Sequence, residues 1–281
     1  MKRIGLELQS ATNAFDIATT SPGLPEILDM CMAPGGFLAT ALSFNPGARS
    51  LAFSLPQSEG GHKALLPRHP DVELRFLDIT MLPADMGASE IPQDHVDAGK
   101  FFPRQFDPNR LFDLVLCDGQ VLRTNAPSRA AYREKREARR LTIVQLALGL
   151  QHVRPGGTML ILLHKLEAWD TLSLVYKFTK FSSVRLFKPE AGHAKRSSFY
   201  LVASDVQSQH SEAVLAIERW KTIWRSATFG NDEEYWGELR KGEQSVAEVL
   251  REFGPELIRL GREVWGVQAR ALARAPFITK Q

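Results

Sequence analysis

The chain has 281 residues, 44% of them hydrophobic and 24% charged, with 20 Gly, 16 Pro and 2 Cys. That length supports a packed core, and Cys31 and Cys117 alone exclude a disulfide framework or a four-cysteine zinc site. No window approaches the roughly 18 consecutive apolar residues of a membrane span, and the expected setting is a reduced intracellular compartment, with cytoplasm and nucleus both open. The net charge of +3 conceals a basic middle, because residues 121–200 hold fifteen Lys or Arg against five Asp or Glu.

The first element in chain order is a strand at Glu26–Cys31, ended by Ala33-Pro34-Gly35-Gly36 and followed by a helical pattern from Phe37 to Leu42. Further strands are predicted at 50–54 and 72–77, the latter closed by Asp78. Phe112–Cys117, ending at Asp118 and Gly119, is an apolar run of the kind buried on both faces of a parallel sheet. Residues 82–110 read as a loop or insertion, and 128–152 as a helix with a basic first half, stopped at Arg154-Pro155-Gly156-Gly157. A strand at 158–163, a helix at 169–181 and strands at 183–187 and 199–203 complete the series.

Strands joined by mostly helical crossovers, with a terminal hairpin, predict an α/β fold with a doubly wound, mostly parallel seven-stranded sheet and helices on both faces. Residues 1–204 are expected to form this domain and 205–281 a C-terminal helical extension. Trp220, Trp224, Trp236 and Trp265 lie in or near that extension and are expected to be packing anchors.

Glycine turns at the carboxyl ends of parallel strands let backbone approach a ligand closely. Neither GxGxxG nor GxxxxGK[ST] occurs, which leaves a dinucleotide site or a triphosphate loop without support. No nucleophile elbow G-x-S-x-G is present, and His164 and His193 lack the neighbouring ligands of a metal centre, so no metal is expected.

The segment D-M-C-M-A-P-G-G-F at 29–37 resembles the cofactor loop of the FtsJ-like family of ribose methyltransferases dependent on S-adenosyl-L-methionine. Phe112–Gly119, Arg154–Thr158, and Phe187-Lys188-Pro189 with Ser197–Ala203 resemble its later motifs, in order. The resemblance, from about Leu28 to Ala203, implies a Rossmann-like methyltransferase fold. By it, Asp29, Ala33, Pro34, Gly35, Gly36 and Phe37 hold the methionine end of the cofactor, Asp118 borders it, and Asp78 accepts from the adenine amino group. Asp78 can also be read as an ordinary turn-forming strand end.

The family's Lys-Asp-Lys-Glu tetrad carries over unevenly. Asp118 matches its Asp, and Lys165 is the candidate for its second Lys, although Leu162 occupies the usual interval. An odd shift reverses side-chain direction in a strand, so Lys165 needs a bulge or an extended strand end to reach the site. Ser198 stands at the glutamate, only Lys2 and Arg3 precede the loop, and the strand ending at Ser54 lacks the usual ribose-binding acid.

The reaction implied is methylation of an RNA ribose 2′-hydroxyl. Its alternatives are a catalytically impaired cofactor- or RNA-binding module, and a methyltransferase for small molecules or protein. RNA is the expected partner, through a basic surface including Arg133, Arg136, Arg140, Lys188, Lys195 and Arg196, together with Arg129. The competing reading of the arginine cluster is one solvated helix face.

Overall fold

In a computed structural model, residues 1–18, 23–121, 130–242 and 244–275 are described. The strands are β1 (Glu26–Asp29), β2 (Arg49–Ser54), β3 (Val72–Phe76), β4 (Phe112–Cys117), β5 (Val153–His164), β6 (Ser183–Phe187) and β7 (Ser198–Val206). They form one sheet in the order β3-β2-β1-β4-β5-β7-β6, parallel except for β7, which runs antiparallel between β5 and β6. The order reverses between β1 and β4, which opens a crevice at their carboxyl ends.

Period-two alternation divides the sheet's side chains between two cores. Ile27, Leu114, Leu116, Leu160, Leu162, Tyr200 and Val202 face α1 (Lys2–Thr12) and α2 (Gly36–Phe44). Leu28, Val115, Cys117, Ile161, Leu163, Phe199 and Leu201 belong to the opposite core. That core is shared with α4 (Glu137–His152), α5 (Trp169–Thr179), α6 (Ser211–Phe229), α7 (Asp232–Arg240) and α8 (Val246–Ala273). The expected basic helix is broken: a short α3 (Ala131–Glu134) precedes α4, and residues 122–129, including Arg129, lie outside the described residues.

Two elements differ from the sequence expectation. The helix α1 has no counterpart among the predicted elements; it docks mainly through Ile4, Gly5 and Leu8. The Pro-Gly-Gly segment lies within β5, as an irregular passage between the Phe112–Val153 and Leu114–Thr158 pairings. Gly254 and Pro255 leave α8 continuous, because one Pro removes a single ladder bond while Val249, Phe253, Leu257, Leu260 and Val264 keep one face buried.

The helices after β7 are packed firmly on the sheet domain. Trp224 is fully buried and donates its indole N–H to Thr80 O at 3.0 Å, and Trp220 is buried beside Phe178. Trp236 is half-exposed and Trp265 partly buried.

Candidate active site

A cavity of about 630 Å³ opens at the carboxyl ends of β1, β2, β3 and β4. Register explains why two carboxylates meet there. Asp29 ends β1 and pairs with Leu116, and Asp118 follows two residues later, just past the end of the neighbouring β4. Asp118 lines the cavity, whereas Asp29 lies buried behind it, accepting the Cys31 N–H at 3.2 Å.

Burial raises both carboxyls, Asp118 to about 7, and the charge of Asp118 raises Asp29 further. Such a pair favours a cationic ligand, which restores the ionised forms.

Of the expected cofactor loop, Ala33 and Pro34 form cavity wall. Gly35 acts through the backbone: at φ 99° it caps α2, where a Cβ would sit 2.9 Å from Met32 Sδ. Gly36 starts α2 against Met1 and Lys2, and Phe37 is buried between Phe15 and Tyr200. Asp78 also lines the cavity, but its Oδ1 already accepts from the Thr80 N–H and hydroxyl, and its Oδ2 from Arg133 at 2.5 Å. One lone-pair position on Oδ2 remains for an incoming N–H.

Several lining residues lie outside the motifs of the sequence. Glu59, in the turn after β2, places an exposed carboxylate on the cavity five residues beyond Ser54. Phe101 and Phe102, from the segment expected to be loop, form part of the wall, as do His193, Arg196 and Tyr200. The Tyr200 side chain is buried, and its hydroxyl has no hydrogen-bond partner among the described residues.

The structure does not bring Lys165 to Asp118. Leu162 pairs with Tyr200 across β5 and β7, and both line the cavity. The pairing runs unbroken from Met159 to His164, so no bulge restores a position three residues later. Lys165 follows the strand end in the left-handed region at φ 50°, exposed and outside the cavity lining.

The expected basic surface also needs correction. Arg140 is fully buried and Arg133 and Arg136 nearly so: Arg133 is matched inside by Asp78 and Glu137 and Arg140 by Glu137, whereas Arg136 reaches out to the exposed Asp232. Lys188 is buried too, donating to the carbonyls of Arg196 at 2.5 Å and Ser198 at 2.8 Å. Lys195 and Arg196 remain exposed, Arg196 on the cavity. Among the described residues, no group of three or more His, Cys, Asp or Glu could hold a metal, and no helix is long and apolar enough to cross a membrane.

The residues present fit S-adenosyl-L-methionine. The Asp29–Asp118 pair suits its cationic end, Ala33 and Pro34 give a wall of small bulk, and Glu59 offers an acceptor on the side where a ribose-binding acid was expected.

Comparison with solved structures returns distant neighbours. The N-methyltransferase NodS from Bradyrhizobium japonicum WM9 shares 12% identity at a TM-score of 0.41, over 73% of this chain and 98% of that one. Human N-acetylserotonin methyltransferase in complex with SAM shares 14% at 0.37, over 72% and 51% respectively. No curated protein matches the chain. The FtsJ-like methyltransferase family matches residues 1–206, well over half of the sequence, and the chain therefore belongs to that family of S-adenosyl-L-methionine-dependent methyltransferases.

Proposed function

We propose that this protein methylates a ribose 2′-hydroxyl of RNA. The observation that carries the reading is the placing of Asp118 in one cavity with the Ala33–Pro34 wall, while Arg196 borders that cavity and Lys195 is exposed beside it in sequence. A phosphodiester chain lying over those two cations directs a sugar hydroxyl inward.

Asp118 faces the positively charged end of the cofactor, with Asp29 buried behind it. Ala33 and Pro34 confine it, Glu59 accepts from its ribose hydroxyls, and the remaining acceptor position of Asp78 takes the adenine amino group. When bound, the cofactor supplies an electrophilic methyl on a sulfonium leaving group, so the protein's part is to orient the attacking oxygen, exclude water and take up a proton. Asp118 is the catalytic carboxylate in this reading. Lys165 is left outside the reaction because it does not border the cavity.

The test is incubation with methyl-labelled S-adenosyl-L-methionine and a mixed RNA pool. The expected label resists alkali within a dinucleotide, because a methylated 2′-oxygen cannot attack the neighbouring phosphate. Label found in protein or small molecules, or on a base, overturns the reading.

A further inference from the structure

The loop between β6 and β7 is fastened on both sides. Lys188 Nζ donates to Arg196 O and Ser198 O, and the backbone N–H groups of Glu190 and Ala191 donate to Glu7 Oε2 of α1 at 3.0 and 3.2 Å. That frame holds His193 on the cavity, its ring 12° from parallel with Tyr200 at a centroid distance of 6.4 Å. His193 Nδ1 lies 3.0 Å from the hydroxyl of Ser198, which is itself buried. In the sequence His193 lacks the neighbours of a metal ligand, and Ser198 puts an uncharged hydroxyl where the family pattern has glutamate. The fold joins them at the cavity where Leu162 removes the expected lysine.

We propose that His193 is the proton acceptor for the transferred methyl's target hydroxyl, with Ser198 as the residue that positions it. Resting on the function proposed above, this assigns the base that the family pattern leaves vacant. The Nδ1–H donates to Ser198 Oγ, which leaves Nε2 with its lone pair for the substrate. As the substrate oxygen forms its bond to the methyl carbon, its proton passes to Nε2. The carbon–sulfur bond breaks with its electron pair going to sulfur, and the imidazolium later releases the proton to water. The unpartnered Tyr200 hydroxyl, in the same cavity, is available to donate a hydrogen bond to the attacking oxygen.

The electrostatic setting suits an acceptor. Burial holds the His193 ring below the usual histidine value, aided by the charges of Arg196, Lys188 and His164, so the neutral form prevails at neutral pH. Asp118 and Tyr200 face the same space.

The experiment uses the full chain, with His193→Ala, His193→Gln and Ser198→Ala variants checked for unchanged melting. Binding of S-adenosylhomocysteine by calorimetry is expected to survive in all three. Single-turnover transfer to RNA falls about 10²–10⁴-fold in both His193 variants, the usual cost of losing a general base. Their pH–rate profile also loses its acid limb. Nitrogen-15 NMR of the histidine rings gives a readout independent of turnover: wild-type His193 carries its proton on Nδ1, and Ser198→Ala shifts the ring toward the other tautomer. Full activity in His193→Ala, or an Nε2-protonated ring in the wild type, overturns the assignment. A wild type that methylates no RNA removes the RNA reading, and the NMR result then decides His193 by itself.

Discussion

Glu137 Oε2 lies 2.7 Å from Arg140 Nη1, with the arginine fully buried and the glutamate 3% exposed. Arg133 contacts the other carboxylate oxygen at 2.6 Å, and Arg140 also donates to Thr80 O and Thr228 Oγ1. This ion-paired knot ties α3 and α4 to the turn after β3 and to α6. Burial alone would raise the Glu137 carboxyl, but the hydrogen bond from Arg133 and the charges of Arg140 and Arg133 outweigh it and hold the group at about 2. Glu137→Gln is expected to cost about 3–5 kcal/mol at neutral pH, since it leaves buried arginine charge uncompensated. With the folded value depressed, the stabilisation is complete above the ordinary value of 4.5 and lost as pH falls toward 2. Urea titrations of wild type and variant should therefore converge in acid. A difference below about 1 kcal/mol at pH 7, the worth of an exposed pair, would show that the knot is solvated.

The turn at Gly35 yields a second expectation. Its φ of 99° and the approach of Met32 Sδ at 2.9 Å and Leu66 Cβ at 3.0 Å leave no room for a side chain. Gly35→Ala should lose about 1–3 kcal/mol from backbone strain, and cofactor affinity should fall with stability. Gly99, on the cavity lining, has open space at its Cβ position, so Gly99→Ala should leave melting unchanged. Equal melting of the two variants would remove the special status of the Gly35 turn.

The sheet was legible because its central strands are buried on both faces, so Phe112–Cys117 reads as one apolar run wherever its neighbours lie. The candidate cofactor loop stands out in the sequence because its residues are consecutive. The basic surface was misread for a physical reason: a charge count does not distinguish an arginine in water from one neutralised inside. Glu137, within one helical turn of Arg133 and Arg140, was the local sign, but Asp78 and Asp232 are distant in sequence. The place of Glu59 and His193 on the cavity is not legible for a related reason, since each comes from a segment without periodicity and gains its position from tertiary packing.

With the arginine cluster buried, RNA binding should depend on Lys195 and Arg196. Replacing both with Gln is expected to weaken binding and reduce the slope of log affinity against log salt by roughly 1.4, two contacts at about 0.7 each for a single strand. Fluorescence anisotropy across a salt series measures this. An unchanged slope removes these two residues from the interface, and absence of binding even at low salt removes RNA as the partner.

Lys165 offers a control on the same assay. Its exposed side chain beyond the end of β5 and its absence from the cavity lining mean that Lys165→Ala should retain the wild-type transfer rate and cofactor affinity. Loss of transfer with affinity intact would return Lys165 to the reaction and show that the residues after His164 move toward Asp118 when substrate binds.

Asp29 and Asp118 make cofactor binding depend on pH in a direction that can be worked out. Burial raises both carboxyls, and the charge of Asp118 raises Asp29 further, so below the Asp118 value of about 7 the cavity carries bound protons. A cation bound there favours the ionised carboxylates and must displace those protons. Affinity for S-adenosyl-L-methionine should therefore rise as pH increases through about 7, with net proton release visible when calorimetry is repeated in buffers of different ionisation enthalpy. S-adenosylhomocysteine lacks the sulfonium charge and should show a shallower dependence, whereas Asp118→Asn should flatten both curves. The same shift has an opposite consequence for folding. A carboxyl whose folded value is raised favours the protonated folded state, so its burial destabilises the protein increasingly as pH rises from the unfolded value of 3.8 to about 7. Asp118→Asn should accordingly melt higher than wild type in mildly alkaline buffer, even as it loses methyl transfer. Flat cofactor affinity across this range, together with a lower melting temperature for Asp118→Asn, would mean that Asp118 is already neutralised by a protein partner and cannot serve as the cavity's anionic pole.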